Sequence, residues 1–252
     1  MAWAEPILLA GRPVAAVGFD LDFTLWDQNA FIRSFFAAVA GDLGRRLGLG
    51  RPQVLEACEG ALERLTLAHP RLFDQALHRL GAWDPRLVAE LVVRYRRHRA
   101  PAEPYPGAVA ALERCRRAGL RLFLVTDGKP DTQRYKVAAL GLGPWFDVLV
   151  FTGDLPPEQS KPSPTPFQIA CGRLGVAPER CLFVGDHPAC DVPGARSLGM
   201  ATLGVRTGPF AALAANSGEA AGGGSAPDAW IDAVGELAGL LESAGLAAGG
   251  RP

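Results

Sequence analysis

The residues with the clearest capacity for chemistry lie in Val17-Gly18-Phe19-Asp20-Leu21-Asp22-Phe23-Thr24-Leu25. An apolar run beginning at Val14 reads as a short buried strand, and it ends in two carboxylates two residues apart followed by a hydroxyl. Acids so close repel one another, and a hard cation such as Mg²⁺ is the simplest reason to keep them together. Asp20 then has the chemistry to attack a phosphorus atom, and Asp22 to move a proton. A strand that simply ends in a solvated Asp-rich turn explains these nine residues equally well. The decision falls to the rest of the chain.

The elements that must position these acids change character along the sequence. Asn29 is a candidate cap for a helix from Ala30 to about Leu47, with Phe31, Phe35, Phe36 and Val39 as its apolar stripe. Pro52 opens a second helix to about Leu67, a third runs from near Arg71 to Leu80, and Asp84-Pro85 caps and starts a fourth to about Arg97. No strand pattern interrupts them, so a small helical bundle is inserted after the first strand. Strands and helices then alternate. Strands are expected at Leu120–Val125, Val148–Phe151, Cys181–Val184, Ala201–Val205 and Trp230–Asp232. Helices are expected from Pro106-Gly107 to Ala118, and at Asp131–Leu140, Pro166–Leu174, Asp191–Leu198 and Ala233–Ala244. Alternation with near-continuous apolar strands implies an α/β fold, a Rossmann-like parallel sheet with helices on both faces. Ligands of such sheets sit at the carboxyl ends of the strands. The expected division is a core of residues 1–28 and 104–252 and a helical domain of residues 29–103, with the Ala-, Gly- and Ser-rich stretch from Ala211 to Pro227 as a surface loop.

Four strand ends carry matching chemistry in chain order: Asp20 and Asp22, then Thr126-Asp127-Gly128, then Lys161 after a loop, then Gly185-Asp186 with Asp191 beyond it. Phosphate oxygens require positive charge and hydrogen-bond donors. Lys161 supplies the charge, Thr126 and the backbone N–H groups after it supply donors, and Gly128 lets the backbone come close. Mg²⁺ between Asp20 and Asp186 would relieve repulsion between attacker and substrate. Pro162, Pro164 and Pro166 favour an extended loop that aims Lys161. Taken singly, Thr126 reads as a strand-end hydroxyl, Lys161 as a solvated lysine and Asp191 as a helix cap.

As a set, these residues resemble the haloacid dehalogenase superfamily, in its phosphatase-like branch with a helical C1-type cap. The resemblance spans about Val14 to Val205. It rests on Asp20-Leu-Asp22-Phe-Thr24, Thr126, Ser160-Lys161-Pro162, and Gly185-Asp186 with Asp191. Pro104-Tyr-Pro106-Gly107, Gln133-x-x-Lys136 and Leu140-Gly141-Leu142 add to it. It implies that Asp20 is a nucleophile forming an aspartyl-phosphate. Asp22 would be the acid and base, with its backbone carbonyl on Mg²⁺. Asp186 would be a metal ligand, Thr126, Asp127, Gly128 and Lys161 would contact phosphate, and Asp191 would orient Lys161 or a metal-bound water. The helical insertion would be a cap that closes over substrate. Asp127 stands where Asn is frequent, and an inward-pointing charge there would repel phosphate.

Composition narrows the partners. Lys+Arg and Asp+Glu are equal at 26 each, so no basic field suggests nucleic acid or an anionic membrane. No apolar run reaches spanning length, and the N-terminal residues lack the pattern of a signal peptide. The five cysteines are scattered, without a C-x-x-C, which points to reduced thiols in a cytoplasmic protein rather than a disulfide or zinc framework. The basic run Arg94–Arg99 reads as a solvated helix end or a positive rim for anions, His69, His78 and His98 as surface residues, and Trp26 as a packing residue at the passage into the helical insertion. The expected activity is Mg²⁺-dependent hydrolysis of a small phosphorylated metabolite. The rivals are a phosphomutase, which shares Asp22, a dehalogenase, which needs no second acid, and a non-catalytic binding module. Nothing in the pattern bears on oligomeric state.

Overall fold

A computed structural model describes residues 7–9, 12–63, 71–210 and 226–243. The end of the second expected helix, His69, residues 211–225 of the expected loop and the last residue of the final expected helix lie outside them. The chain separates into two compact units, Met1–Asp27 with Glu103–Pro252, and Gln28–Ala102.

The larger unit opens with an antiparallel pair, β1 (Ile7–Leu9) and β2 (Arg12–Val14). Its main sheet has six strands: β3 (Ala16–Phe19), β4 (Arg121–Thr126), β5 (Val148–Phe151), β6 (Cys181–Gly185), β7 (Ala201–Val205) and β8 (Ala229–Ile231). They run in the order β5-β4-β3-β6-β7-β8 with every pairing parallel. Val14 therefore does not begin the strand that carries Asp20. It belongs to β2, and a bend at Ala15 separates the two strands.

The sheet is buried on both faces, which is why its strands read as continuous apolar runs rather than alternating ones. One face sends Ala16, Phe123, Val125 and Phe183 against Phe167, Ala170, Cys171 and Ala195. These last four come from α7 (Thr165–Leu174) and α8 (Pro188–Ser197). Phe167 meets Phe183 edge-on at 4.8 Å and 90°, a favoured aromatic arrangement. In the same unit are α5 (Ala108–Arg117) and α6 (Pro130–Ala139), and the last described helix is α9 (Leu237–Ser243). A 3₁₀ turn at Val234–Glu236 occupies the first residues of the expected final helix.

The smaller unit is all helical among the described residues: α1 (Gln28–Leu47), α2 (Arg51–Leu62), α3 (Leu72–Arg79) and α4 (Pro85–Arg97). It has its own core, in which Phe35, Phe36, Val39, Val54, Leu77 and Leu91 are buried together. Asp84 caps α4 by accepting from the Arg86 N–H at 2.7 Å, satisfying one of the orphan donors of the first turn. Asn29 is not a cap, because α1 already starts at Gln28. His98 is half-buried rather than a free surface residue. Its ring lies against Phe31 and Phe35, and its Nε2 is 2.8 Å from the Ser34 hydroxyl. Arg94 leaves the expected basic rim to pair with Asp42 at 2.9 Å.

Gly18 shows how closely the central strand is packed. A Cβ there would run into the ring of Phe123, which is wholly buried. Gly18→Ala is therefore expected to destabilise the protein by about 1–3 kcal/mol, the usual cost of overpacking a core. Urea unfolding checks this, with a lowered midpoint and an unchanged slope as the expected result.

Candidate active site

The sheet order places the sequence-predicted residues together. β3 is central and registers with β4 through Phe19–Leu124 and with β6 through Phe19–Val184. Asp20 follows β3, Thr126 ends β4 and Asp186 follows β6, so three neighbouring strands deliver their polar residues to one edge. It is the carboxyl edge, where parallel sheets bind ligands. The Asp20 N–H donates to the Val184 carbonyl at 2.9 Å, which extends the central pairing as far as the acid itself.

Lys161 reaches this edge from the loop after β5. Its ammonium is buried and donates to Asp20 Oδ1 at 2.6 Å and to Asp191 Oδ1 at 2.7 Å. Burial disfavours the Lys161 charge, but the carboxylates of Asp191, Asp20 and Asp127 outweigh it and hold its pKa well above the ordinary lysine value. The loop is not extended as its prolines suggested. The Ser163 N–H donates to the Ser160 carbonyl at 2.9 Å in a turn, and Pro166 already lies in the first turn of α7. Asp191 is likewise inside α8, which starts at Pro188. Its Oδ2 accepts from the His187 N–H at 2.9 Å while Oδ1 holds Lys161. One buried carboxylate thus tethers the helix entry and the cation.

Asp20 and Asp186 form an acidic pair. Burial, and then the charge of Asp191 and Asp22 against the pull of Lys161, pushes Asp20 up to about 7. Burial and the neighbouring Asp20 and Asp191 charges push Asp186 well above the carboxylate range. The Thr24 hydroxyl sits 3.4 Å from both Asp20 Oδ2 and Asp186 Oδ1, too far for a strong bond to either. Asp186 Oδ2 is buried without a hydrogen-bond partner among the described residues. Among the described residues no group of three or more His, Cys, Asp or Glu gathers as a metal cage. Mg²⁺ does not need one, because it keeps several waters and takes only one or two carboxylates. The neighbouring carboxylates of Asp20 and Asp186 suit that requirement, and the orphaned buried oxygen of Asp186 fits a cation.

The side chain of Asp22 faces other partners. Its two oxygens lie 2.7 and 2.8 Å from the Lys136 ammonium. Oδ1 also accepts from Trp26 Nε1 at 2.8 Å, and Oδ2 from Gln133 Nε2 at 3.0 Å. Trp26 is brought there by a tight turn in which Phe23 takes a left-handed φ of 61° and its N–H donates to the Trp26 carbonyl at 3.0 Å. Such a φ is strained for Phe, and the Thr207 hydroxyl holds the turn by donating to the Phe23 carbonyl. Trp26 is thus a partner of Asp22 as well as a packing residue. Asp127 accepts from Thr152 Oγ1 at 2.6 Å and from the Lys161 N–H at 3.4 Å, so its carboxylate is occupied with the Lys161 loop. Gly128 takes φ 118°, a backbone that side chains rarely adopt.

Gln133 and Lys136 were visible in the sequence only as part of a resemblance. Both are buried, and with Val137 they form the buried stripe of α6. Two polar residues on an otherwise core-facing stripe, three residues apart and so on one helix face, are the signal that marks them.

The fold and this edge define a Rossmann-like α/β protein with an acidic, lysine-bridged site. A sequence model described as haloacid dehalogenase-like hydrolase matches residues 14–199, and the chain belongs to that family. It is 33% identical over 203 residues to a glyceraldehyde 3-phosphate phosphatase of Methanopyrus kandleri, covering 78% of this chain and 86% of the relative. It is 39% identical over 138 residues to a phosphoserine phosphatase of Thermus thermophilus, covering 55% and 54%. A crystal structure of a HAD phosphatase from Thermococcus onnurineus superposes with a TM-score of 0.58 at 28% identity, covering 90% of this chain and 98% of that one. The chain is accordingly a hydrolase on the phosphatase side of the family.

Removing the buried cation tests the electrostatics. Lys161→Met leaves Asp20 and Asp191 facing each other unpaired and is expected to cost about 3–5 kcal/mol. With the Asp20 pKa raised by burial and no longer pulled down by Lys161, the folded state retains a proton that the unfolded chain releases, so the deficit shrinks as pH falls through the folded-state value. Denaturant unfolding across a pH series checks both the size and the sign.

Proposed function

We propose that the chain hydrolyses a small phosphorylated metabolite, a phosphomonoester, with Mg²⁺ and through an aspartyl-phosphate on Asp20. The observation that carries this reading is the buried Lys161 bridge to Asp20 beside the hydroxyl of Thr126 and the unpartnered oxygen of Asp186. Lys161 commits Asp20 Oδ1, which leaves Oδ2 as the attacking oxygen. In the first step Oδ2 bonds to phosphorus as the bond from phosphorus to the leaving oxygen breaks, and Asp22 gives that oxygen a proton. In the second step Asp22 takes a proton from water, the water oxygen bonds to phosphorus, and Asp20 is released as inorganic phosphate leaves. Lys161 and Thr126 place positive charge and a donor at the phosphoryl oxygens. Mg²⁺, held by Asp20, Asp186 and the Asp22 carbonyl, would supply further neutralisation of phosphate charge.

Asp22 favours phosphoryl transfer over dehalogenation, which requires no acid at that position. The names of the relatives support phosphate esters as the substrate class. The Gln28–Ala102 unit is assigned the role of cap, which selects the substrate. No described helix is long and apolar enough to cross a membrane, and all five cysteines are free. The free thiols support a reducing, cytoplasmic location.

A panel of phosphate monoesters assayed with Mg²⁺ or with EDTA tests the reading. Turnover is expected with Mg²⁺ only, and Asp20→Asn should abolish it. Asp22→Asn should lower kcat by about 10²–10⁴-fold, the range for general acid–base catalysis. Absence of wild-type turnover on every ester would leave the non-catalytic alternative standing. A readout independent of activity concerns the metal: Mg²⁺ should raise the melting temperature of the wild type and not that of Asp186→Asn.

A further inference from the structure

The Gln133 side chain bridges two residues to which the proposed mechanism gives separate tasks. Its amide nitrogen lies 3.0 Å from Asp22 Oδ2 and 2.7 Å from Thr126 Oγ1. It is 2% exposed, and a glutamine so deeply buried is uncommon without a hydrogen-bonding task. Gln133 lies on the buried stripe of α6, and the backbone of Gly128 packs against its amide, where a Cβ would come within 3.4 Å of the Gln133 Cδ.

The chemistry of the partners fixes which way this amide points. The oxygen and nitrogen of an amide are told apart by their neighbours. Asp22 receives donors from Lys136 and Trp26 and is an acceptor, so the amide must turn its NH₂ group toward it. One amide hydrogen then goes to Asp22 and the other to Thr126 Oγ1. The Thr126 oxygen accepts this bond, and its own proton remains available. Among the described residues no acceptor takes that proton. Phosphoryl oxygens accept and do not donate, so a hydroxyl held as a donor is what they require.

We infer that Gln133 is a positioning residue that sets the Thr126 hydroxyl as a donor to the transferred phosphoryl group and ties it to Asp22 through a single amide. This inference rests on the phosphoryl-transfer reading above. The Asp22 oxygen that accepts from Gln133 orients the amide, the amide orients the hydroxyl, and the acid–base residue and the donor to the phosphoryl group are held in one geometry. Misplacement of reacting groups by about 1 Å can cost on the order of 10²-fold in rate, which sets the scale of the expected effect.

The test uses the full chain with Mg²⁺ and a phosphate ester that the wild type hydrolyses. Gln133→Met keeps the length of the side chain and removes both donors. It is expected to lower kcat by about 10–100-fold with little change in KM. Thr126→Val supplies the second arm, since the loss from Gln133→Met should be markedly smaller in that background. Equal losses in both backgrounds, or wild-type kcat in Gln133→Met, would overturn the inference while leaving the phosphatase reading intact. Failure of the wild type to hydrolyse any ester would instead remove the reading on which the inference rests. If Gln133→Met does not fold, the nearly isosteric Gln133→Glu takes its place. Its carboxylate accepts the Thr126 proton and faces Asp22, so it should lose at least as much kcat, and retention of full kcat would be contrary to the inference.

Discussion

The site depends on one buried cation. The Lys161 ammonium lies between Asp20 and Asp191, and without it the carboxyl edge of the sheet would bring three buried acids together with no compensating charge. Its position costs the chain a good deal. The loop after β5 must turn back to the central strand, α8 must bring Asp191 to it, and Asp127 must accept from the Lys161 N–H and the Thr152 hydroxyl. In return Asp20 has one oxygen engaged and one exposed to chemistry. The lysine balances one side of the acidic pair only. Asp186 keeps a buried oxygen with no hydrogen-bond partner among the described residues, which is where a divalent cation would complete the charge balance.

A second network stands apart from the first and shares no donor with it. Lys136, Gln133 and Trp26 surround Asp22, and through Gln133 this network reaches Thr126. The two acids of the motif, so close in sequence, therefore have separate environments: Asp20 is buried against Lys161, and Asp22 is half-buried between two donors of α6 and the nearby Trp26 indole. Environments that differ in this way are how one motif can supply both a nucleophile and a proton carrier.

Much of this was legible in the sequence because the information is local. Apolar runs bounded by turn residues located β5 and β7 to the residue, and Asp84-Pro85 located the start of α4. The polar residues at strand ends stood out because buried parallel strands have little else that is polar. What was not legible depends on long-range pairing. The central place of β3 between β4 and β6 follows from sheet order, which no single segment encodes. The β1–β2 pair was not read, and its last residue, Val14, was joined to the run that leads to Asp20 because Val14 and Ala16 look alike as apolar residues. Asn29 was assigned to a cap from its type, yet it lies within α1. Gln133 and Lys136 carried a local signal, polar residues on a core-facing stripe, but their partner Asp22 lies more than a hundred residues away.

The central claim is that Asp20 accepts the phosphoryl group. The most direct measurement is a crystal structure of the protein soaked with Mg²⁺ and beryllium fluoride, which mimics a phosphoryl group bonded to a carboxylate. The account predicts the fluoride complex on Asp20 Oδ2, with Lys161 and Thr126 as donors to its fluorines and Mg²⁺ between it and Asp186. Density for the complex on any other residue, with Asp20 unmodified, would contradict it.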